Sequence, residues 1–268
     1  MNDQLTQLVS AVSESSKYKG VSLEFIAAVG EQELRKHPKL KDAVKATKNK
    51  LHQVGGAFLD FKPAYAQWLR ELKDVCFSGA NDAVRKTCIK IMTHHASTRE
   101  RLPVLDQFYD TLLSDVLPIQ SVLDIACGLN PLSIPWMPLV DGADYYAIDV
   151  YENMIAFLDE CLPCLGVQGH AMVCDVNRLA RFPKVDVALI LKTIPCLERL
   201  DKAAGSRLLE MINANYLFVS FPGFSLCGRS KGMMAGYEAS FHQLVSGKNW
   251  RISKYKFATE IVFKVVKH

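Results

Sequence analysis

No run of about 18 apolar residues, the length at which a helix can cross a bilayer, occurs anywhere in the chain. A membrane-spanning helix and a membrane partner are therefore not expected. The opening MNDQLTQLVSAVSESSKYKG has no basic head followed by an apolar stretch, so no secretory leader is expected and the cytoplasm is the expected location. Of eight cysteines, only Cys161 and Cys164 form a CxxC. A zinc ribbon needs a second pair, or a His pair, at matching spacing; neither is present, so no metal is expected. Cysteines set in apolar stretches such as MVCD and TIPCLE read as small buried hydrophobes in a reducing compartment. There is no GxGxxG loop, no repeat and no low-complexity segment. Without the glycine-rich nest, pyrophosphate binding is disfavoured.

What is present is a 268-residue chain, 49% hydrophobic, long enough for one medium domain and a smaller one. Its formal charge of +4 is unevenly spread. Residues 1–101 carry 17 Lys/Arg against 11 Asp/Glu, whereas the remainder carries 15 against 17. The excess concentrates in Arg35, Lys36, Lys39, Lys41, Lys45, Lys48 and Lys50, with only Asp42 opposing them in that window. A basic appendage on a near-neutral domain is the footprint of a phosphate-binding surface; a solvated helix face is the plainer alternative.

Residues 1 to about 93 read as a helical domain. Leu5, Leu8, Val9 and Val12 follow helical spacing, as do Phe25, Ile26 and Val29, and Ser22 is placed to cap the second helix. Leu40, Val44, Thr47, Leu51 and Val54 repeat along 38–54, and Gly55-Gly56 is expected to break that helix. Further helices are expected at 63–76 and 81–92.

From residue 94 the pattern changes. IQSVLDIAC (119–127), DYYAIDV (144–150), HAMVCDV (170–176), DVALIL (186–191), NYLFVSF (215–221), WRISKYKF (250–257) and EIVFKVV (260–266) are short apolar stretches with helical ones between most of them. Alternation of this kind predicts βαβ units and an α/β, mostly parallel seven-stranded sheet, closed by a terminal antiparallel hairpin at 250–266.

Three acids stand at successive strand ends. Asp124 ends the first strand in VLDIACGLNPLSI (122–134), where Ala126 and Gly128 let a bulky ligand approach the backbone. Asp149 follows 25 residues later, about where such folds place the acid that grips ribose hydroxyls. Asp175 ends the third strand, and LILKTIP (189–195) the fourth. In open α/β sheets, ligands bind at these ends. A Gly-poor first loop with this series of acids points to S-adenosylmethionine, the product being S-adenosylhomocysteine. Loop-starting acids of another doubly wound domain are the alternative.

HASTRERL (95–102), VLDIACGLNPL (122–132), LILKTIP, SFP (220–222) and GRSKGM (228–233), in this order and spacing, closely resemble the aminoglycoside-resistance 16S rRNA methyltransferases acting on N7 of guanine 1405. The resemblance covers residues 50 to 268 well; the first 50 share only helical, basic character. It implies a class I methyltransferase domain over 94–268 and a basic, ribosome-binding helical domain over 1–93. It further implies that His95, Ala96, Ser97, Thr98, Arg99, Glu100 and Arg101 cover the cofactor, with Arg101 on the methionyl carboxylate. Ala126 would contact the cofactor through its backbone, Asp149 hold the ribose, Asp175 with Val176 read the adenine edge, and Leu191 pack on its face. Phe58 resembles an aromatic contributed by the helical domain. Lys192 is expected to position the target, with no general base required, and Arg229 and Lys231 to hold RNA phosphates. The implied partner is 16S rRNA in the 30S subunit, and the protein is expected to be a monomer. Ser97 and Glu100 also fit a capping box, and Pro103 should interrupt the helix that follows. A methyltransferase on another rRNA base, such as adenine N1 nearby, and a non-catalytic ribosome-binding factor are the competing readings.

Overall fold

The computed structural model describes residues 3–56, 58, 63–178, 181–223 and 233–267. Arg229 and Lys231 lie outside them. Among the described residues, seven strands form one sheet: β1 (Ile119–Ile125), β2 (Leu139–Asp149), β3 (Gln168–Val173), β4 (Val185–Leu191), β5 (Ala214–Pro222), β6 (Trp250–Lys256) and β7 (Glu260–Lys267). Their spatial order is β3-β2-β1-β4-β5-β7-β6. Pairings from β3 through β5 are parallel, whereas β7 is antiparallel to both β5 and β6. The hairpin expected at the end of the chain is present, and it places β7 beside β5 rather than at the edge.

Chain order reverses between β1 and β4, which opens a crevice at their carboxyl ends. The ends of β1, β2 and β4 therefore bring Asp124, Asp149 and Leu191 to one rim. β3 stops at Val173, so Asp175 stands two residues beyond the strand rather than in it.

The helical region is not one body. Helices α1 (Asp3–Ser13), α2 (Leu23–Lys36) and α3 (Leu40–Leu51) bury their own apolar cluster, built on Leu8, Val12, Phe25, Ile26 and Leu51. Ser22 caps α2 as expected, accepting from the Phe25 N–H. Helix α4 (Tyr65–Phe77) and α5 (Asn81–Met92) instead bury Trp68, Leu72, Cys88 and Ile91 in the cluster that also covers β1 and β2. A boundary at 93/94 thus falls inside one packed layer, while the change of core comes after α3. Gly55-Gly56 does not end the helix abruptly: a π-helical turn, His52–Gly56, extends it.

Around HASTRER, helix α6 (Ala96–Arg101) starts two residues earlier than a Ser97 cap would require. His95 occupies the cap position without a side-chain capping hydrogen bond to the helix, and Thr98 Oγ1 donates to the Met92 and His95 carbonyls at 2.7 and 3.0 Å. The capping box is therefore not formed. Pro103 does interrupt the helix: a 3-10 turn, Leu102–Val104, separates α6 from α7 (Leu105–Leu113). Helix α8 (Glu152–Cys161) follows β2, and α9 (Ile194–Leu197) follows β4.

Candidate functional site

The cleft at the strand ends encloses about 1050 Å³ of empty space, its open mouth included. Its floor is the β1 turn. Ala126 adopts φ 50° and Gly128 φ 54°, both left-handed. A side chain at Gly128 would put its Cβ 2.6 Å from the His95 ring, so glycine is required there on two counts. Asp149 shapes the same turn: its Oδ2 accepts from the Gly128 N–H at 2.9 Å and its Oδ1 from the Val150 N–H at 2.7 Å. Burial raises its proton affinity, opposed by those N–H groups.

Beneath the turn lies a buried polar network. Asp124 Oδ2 accepts from Asn130 Nδ2 at 2.9 Å and from the Tyr145 hydroxyl at 2.8 Å. Its Oδ1 is buried with no hydrogen-bond partner, and Asp124 lines the cleft. Burial pushes the Asp124 carboxyl up to about 7, against the pull of Asn130, Tyr145 and Arg101. Asn130 Oδ1 accepts from Arg101 Nη1 at 2.7 Å and from the Tyr109 hydroxyl at 2.8 Å.

Arg101 is 1% exposed. It donates to both oxygens of Glu260, Nε to Oε1 at 2.8 Å and Nη2 to Oε2 at 3.0 Å, and packs over the Phe108 ring. Burial raises the Glu260 carboxyl, but the Arg101 and Lys192 charges more than offset it and leave the group below its ordinary value. Lys192, at φ 58°, takes its backbone N–H to Ser220 O at 3.0 Å. Its Nζ donates to Glu100 Oε2 at 2.8 Å and to Ser97 O at 3.3 Å, and lies 3.9 Å from Glu260. A left-handed non-glycine residue held by an ion pair at a cleft rim is the kind of strain that functional sites retain.

The cleft brings together Phe58, His95, Ser97, Arg101, Ala126, Asp149, Asp175, Val176, Leu191 and Lys192. Four residues of the HASTRER segment do not line it. Ala96 docks its N–H on Phe58 O at 2.8 Å, Thr98 is buried with its hydroxyl on the Met92 and His95 carbonyls, Arg99 is exposed, and Glu100 is the partner of Lys192. Sequence reasoning missed Asn130, Tyr109 and Glu260. A glutamate opening the mostly apolar EIVFKVV was the available sign of the last. On the helical unit, Arg35, Lys36, Lys39, Lys41 and Lys45 are exposed and Lys48 is half-buried. Lys50 is half-buried and its Nζ donates to Arg199 O at 2.8 Å, a contact with the sheet domain.

A parallel sheet closed by an antiparallel β7, with carboxylates at the strand ends and no GxGxxG in the sequence, defines a class I S-adenosylmethionine-dependent methyltransferase. The ribosomal RNA methyltransferase (FmrO) family profile matches residues 14–265. The chain belongs to that family. Among its relatives, the 16S rRNA (guanine(1405)-N(7))-methyltransferase of Micromonospora echinospora is 36% identical over 267 residues, covering 99% of this chain and 97% of that one. The enzyme of the same name from Serratia marcescens is 30% identical, covering 100% and 99%. The crystal structure of the 16S rRNA methyltransferase RmtF with S-adenosyl-L-homocysteine superposes with a TM-score of 0.83 at 26% identity, over 100% of both chains. Similarity thus extends through the first 50 residues, beyond the motifs from which the resemblance was read.

Proposed function

We propose that this protein transfers a methyl group from S-adenosylmethionine to N7 of guanine 1405 of 16S rRNA in the assembled 30S subunit, acts as a monomer in the cytoplasm, and so confers aminoglycoside resistance. The observation that carries this reading is the match over 99% of the chain, helical unit included, to an enzyme of that name.

The site fits the cofactor. Asp124 Oδ1, buried and lacking a partner, is a ready acceptor for the methionyl ammonium. Asp149 would hold the ribose hydroxyls, its orientation fixed by two backbone N–H groups. Asp175 and Val176 would read the adenine edge, and Leu191 would pack on its face. Arg101 engages Glu260 and Asn130 through three of about five N–H donors, so a methionyl carboxylate would take the remainder. Bound there, the cofactor supplies an electrophilic methyl on a sulfonium.

Guanine N7 has an in-plane lone pair and no proton, so the protein needs no general base. Its work is to align that lone pair, exclude water and hold the rRNA. Orientation alone can contribute roughly 7–11 kcal/mol. Lys192, at the end of β4, would bond guanine O6 or a flanking phosphate by exchanging Glu100 for the target. The exposed basic face of α2 and α3 would supply phosphate contacts, offsetting the few kcal/mol needed to flip the base. N7-methylguanine is cationic and has lost an acceptor, which opposes binding of a polycationic drug.

The test is resistance in a susceptible bacterium. Expression should raise tolerance to gentamicin and kanamycin, and an Asp149→Ala chain made at the same level should not. Equal susceptibility with and without the wild-type protein would contradict the reading.

A further inference from the structure

The α1–α3 unit grips the sheet domain at two places, and each is a loop that carries the site. At the first, the Ser22 N–H donates to Val150 O at 2.9 Å and the Glu152 N–H to Gly20 O at 2.8 Å, so Val21 and Tyr151 pair as an antiparallel bridge. This bridge begins one residue past Asp149. At the second, Lys50 is bonded to Arg199 O, just past α9, in the segment that starts at Lys192. The π-helical turn after α3 fits closely against the first loop: a Cβ on Gly55 would stand 2.6 Å from the Tyr151 hydroxyl.

Between the two grips, Val21, Phe25, Leu51 and Val54 line the same cleft as Asp175 and Val176. Val21 and Phe25 are 3% and 5% exposed. A planar adenine ring bound beside Asp175 needs an apolar cover that excludes water from its faces. Leu191 is placed for one face, and the apolar side chains that the α1–α3 unit adds to the same cleft are available for the other. The helical unit offers a branched aliphatic and an aromatic there.

We infer that Val21 and Phe25 are cofactor-binding residues, and that the α1–α3 unit roofs the adenine end of the cleft as well as presenting its basic face. The inference rests on the reading of the cleft as an S-adenosylmethionine site. Because one unit carries both surfaces, what orders it from one side favours the other, and the linkage is reciprocal. The class of ligand that α2 and α3 would bind, a folded RNA phosphate backbone, would thus tighten the cofactor, and the cofactor would tighten it.

The test is amide hydrogen exchange on the wild-type full chain with and without saturating S-adenosylhomocysteine, with calorimetry of the same ligand alongside. The roof predicts that amides of residues 20–26 and 50–55 slow by about fivefold or more. It also predicts that Phe25→Leu, which keeps an apolar side chain but removes the ring, weakens S-adenosylhomocysteine by about tenfold. Protection confined to residues 124–192, or wild-type affinity in a folded Phe25→Leu chain, would overturn it. The exchange measurement needs no variant, so a Phe25→Leu chain that fails to fold does not block the answer. No binding of S-adenosylhomocysteine by the wild-type protein would overturn the cofactor reading itself, which separates the two failures.

Discussion

Arg101, at the end of α6, and Glu260, the first residue of β7, meet as a fully buried two-point ion pair at 2.8 and 3.0 Å. They are 159 positions apart in the chain. Through Asn130 the pair reaches Asp124, and Lys192 lies 3.9 Å from the same glutamate. One buried carboxylate thus links the Asp124 network to Lys192 at the cleft rim.

Removing either partner leaves an uncompensated buried charge. Arg101→Ala and Glu260→Gln are each expected to lower stability by about 3–5 kcal/mol in a denaturant titration. Arg101→Ala should also abolish S-adenosylhomocysteine binding, because the methionyl carboxylate loses its guanidinium. Unchanged affinity by calorimetry would remove Arg101 from the cofactor site and leave it a purely structural residue.

With Asp124 as the acceptor for the methionyl ammonium, cofactor binding is expected to depend on pH. Burial pushes its carboxyl up to about 7 in the folded chain, whereas an unfolded aspartate ionises near about 4. Between those values the folded chain keeps a proton that the unfolded chain has released. Stability from this group therefore falls as pH rises from about 4 to about 7, and is constant above. Cofactor affinity runs the other way, since an ammonium prefers the carboxylate. Binding should strengthen toward pH of about 7 and then level off, with Asp149, also raised by burial, contributing in the same direction. Asp124→Asn should weaken binding above pH 7 and flatten the profile. Superimposable profiles for wild type and variant would contradict the ammonium assignment.

Lys192→Ala should leave S-adenosylhomocysteine affinity within about twofold and lower methyl transfer by about tenfold or more, a loss typical of a removed charged hydrogen bond. Full transfer activity would make Lys192 only a tether for Glu100.

The basic face should act on the ribosome alone. Reversing Arg35, Lys36, Lys39, Lys41 and Lys45 to Glu should abolish 30S binding and leave the bare cofactor affinity unchanged. For the wild type, affinity for 30S subunits should fall steeply with salt, as phosphate contacts release counterions. Salt-independent binding would point to a protein surface of the subunit instead.

Much of this was legible in the sequence. The strand series, the closing hairpin and the acids at 124, 149 and 175 follow from period and spacing, which local chemistry controls. Ser22 as a cap and Pro103 as a break were visible for the same reason. What stayed hidden depends on long-range packing. Nothing near Arg101 announces that Glu260 will meet it, because only the reversal of β7 beside β5 brings them together. Lys50 reads as one more lysine of a basic run, and only the docking of α3 against the segment after α9 gives it Arg199 O as a partner. The change of core between α3 and α4 was likewise invisible, since both sides are amphipathic helices with ordinary spacing.

The most direct test of target and atom is methyl transfer to purified bacterial 30S subunits, followed by borohydride–aniline cleavage and primer extension. That chemistry cuts only at N7-methylguanine. The account predicts one new stop, at guanine 1405 of 16S rRNA, absent when S-adenosylmethionine is omitted. Methyl label incorporated without such a stop, or a stop at any other guanine, would contradict it.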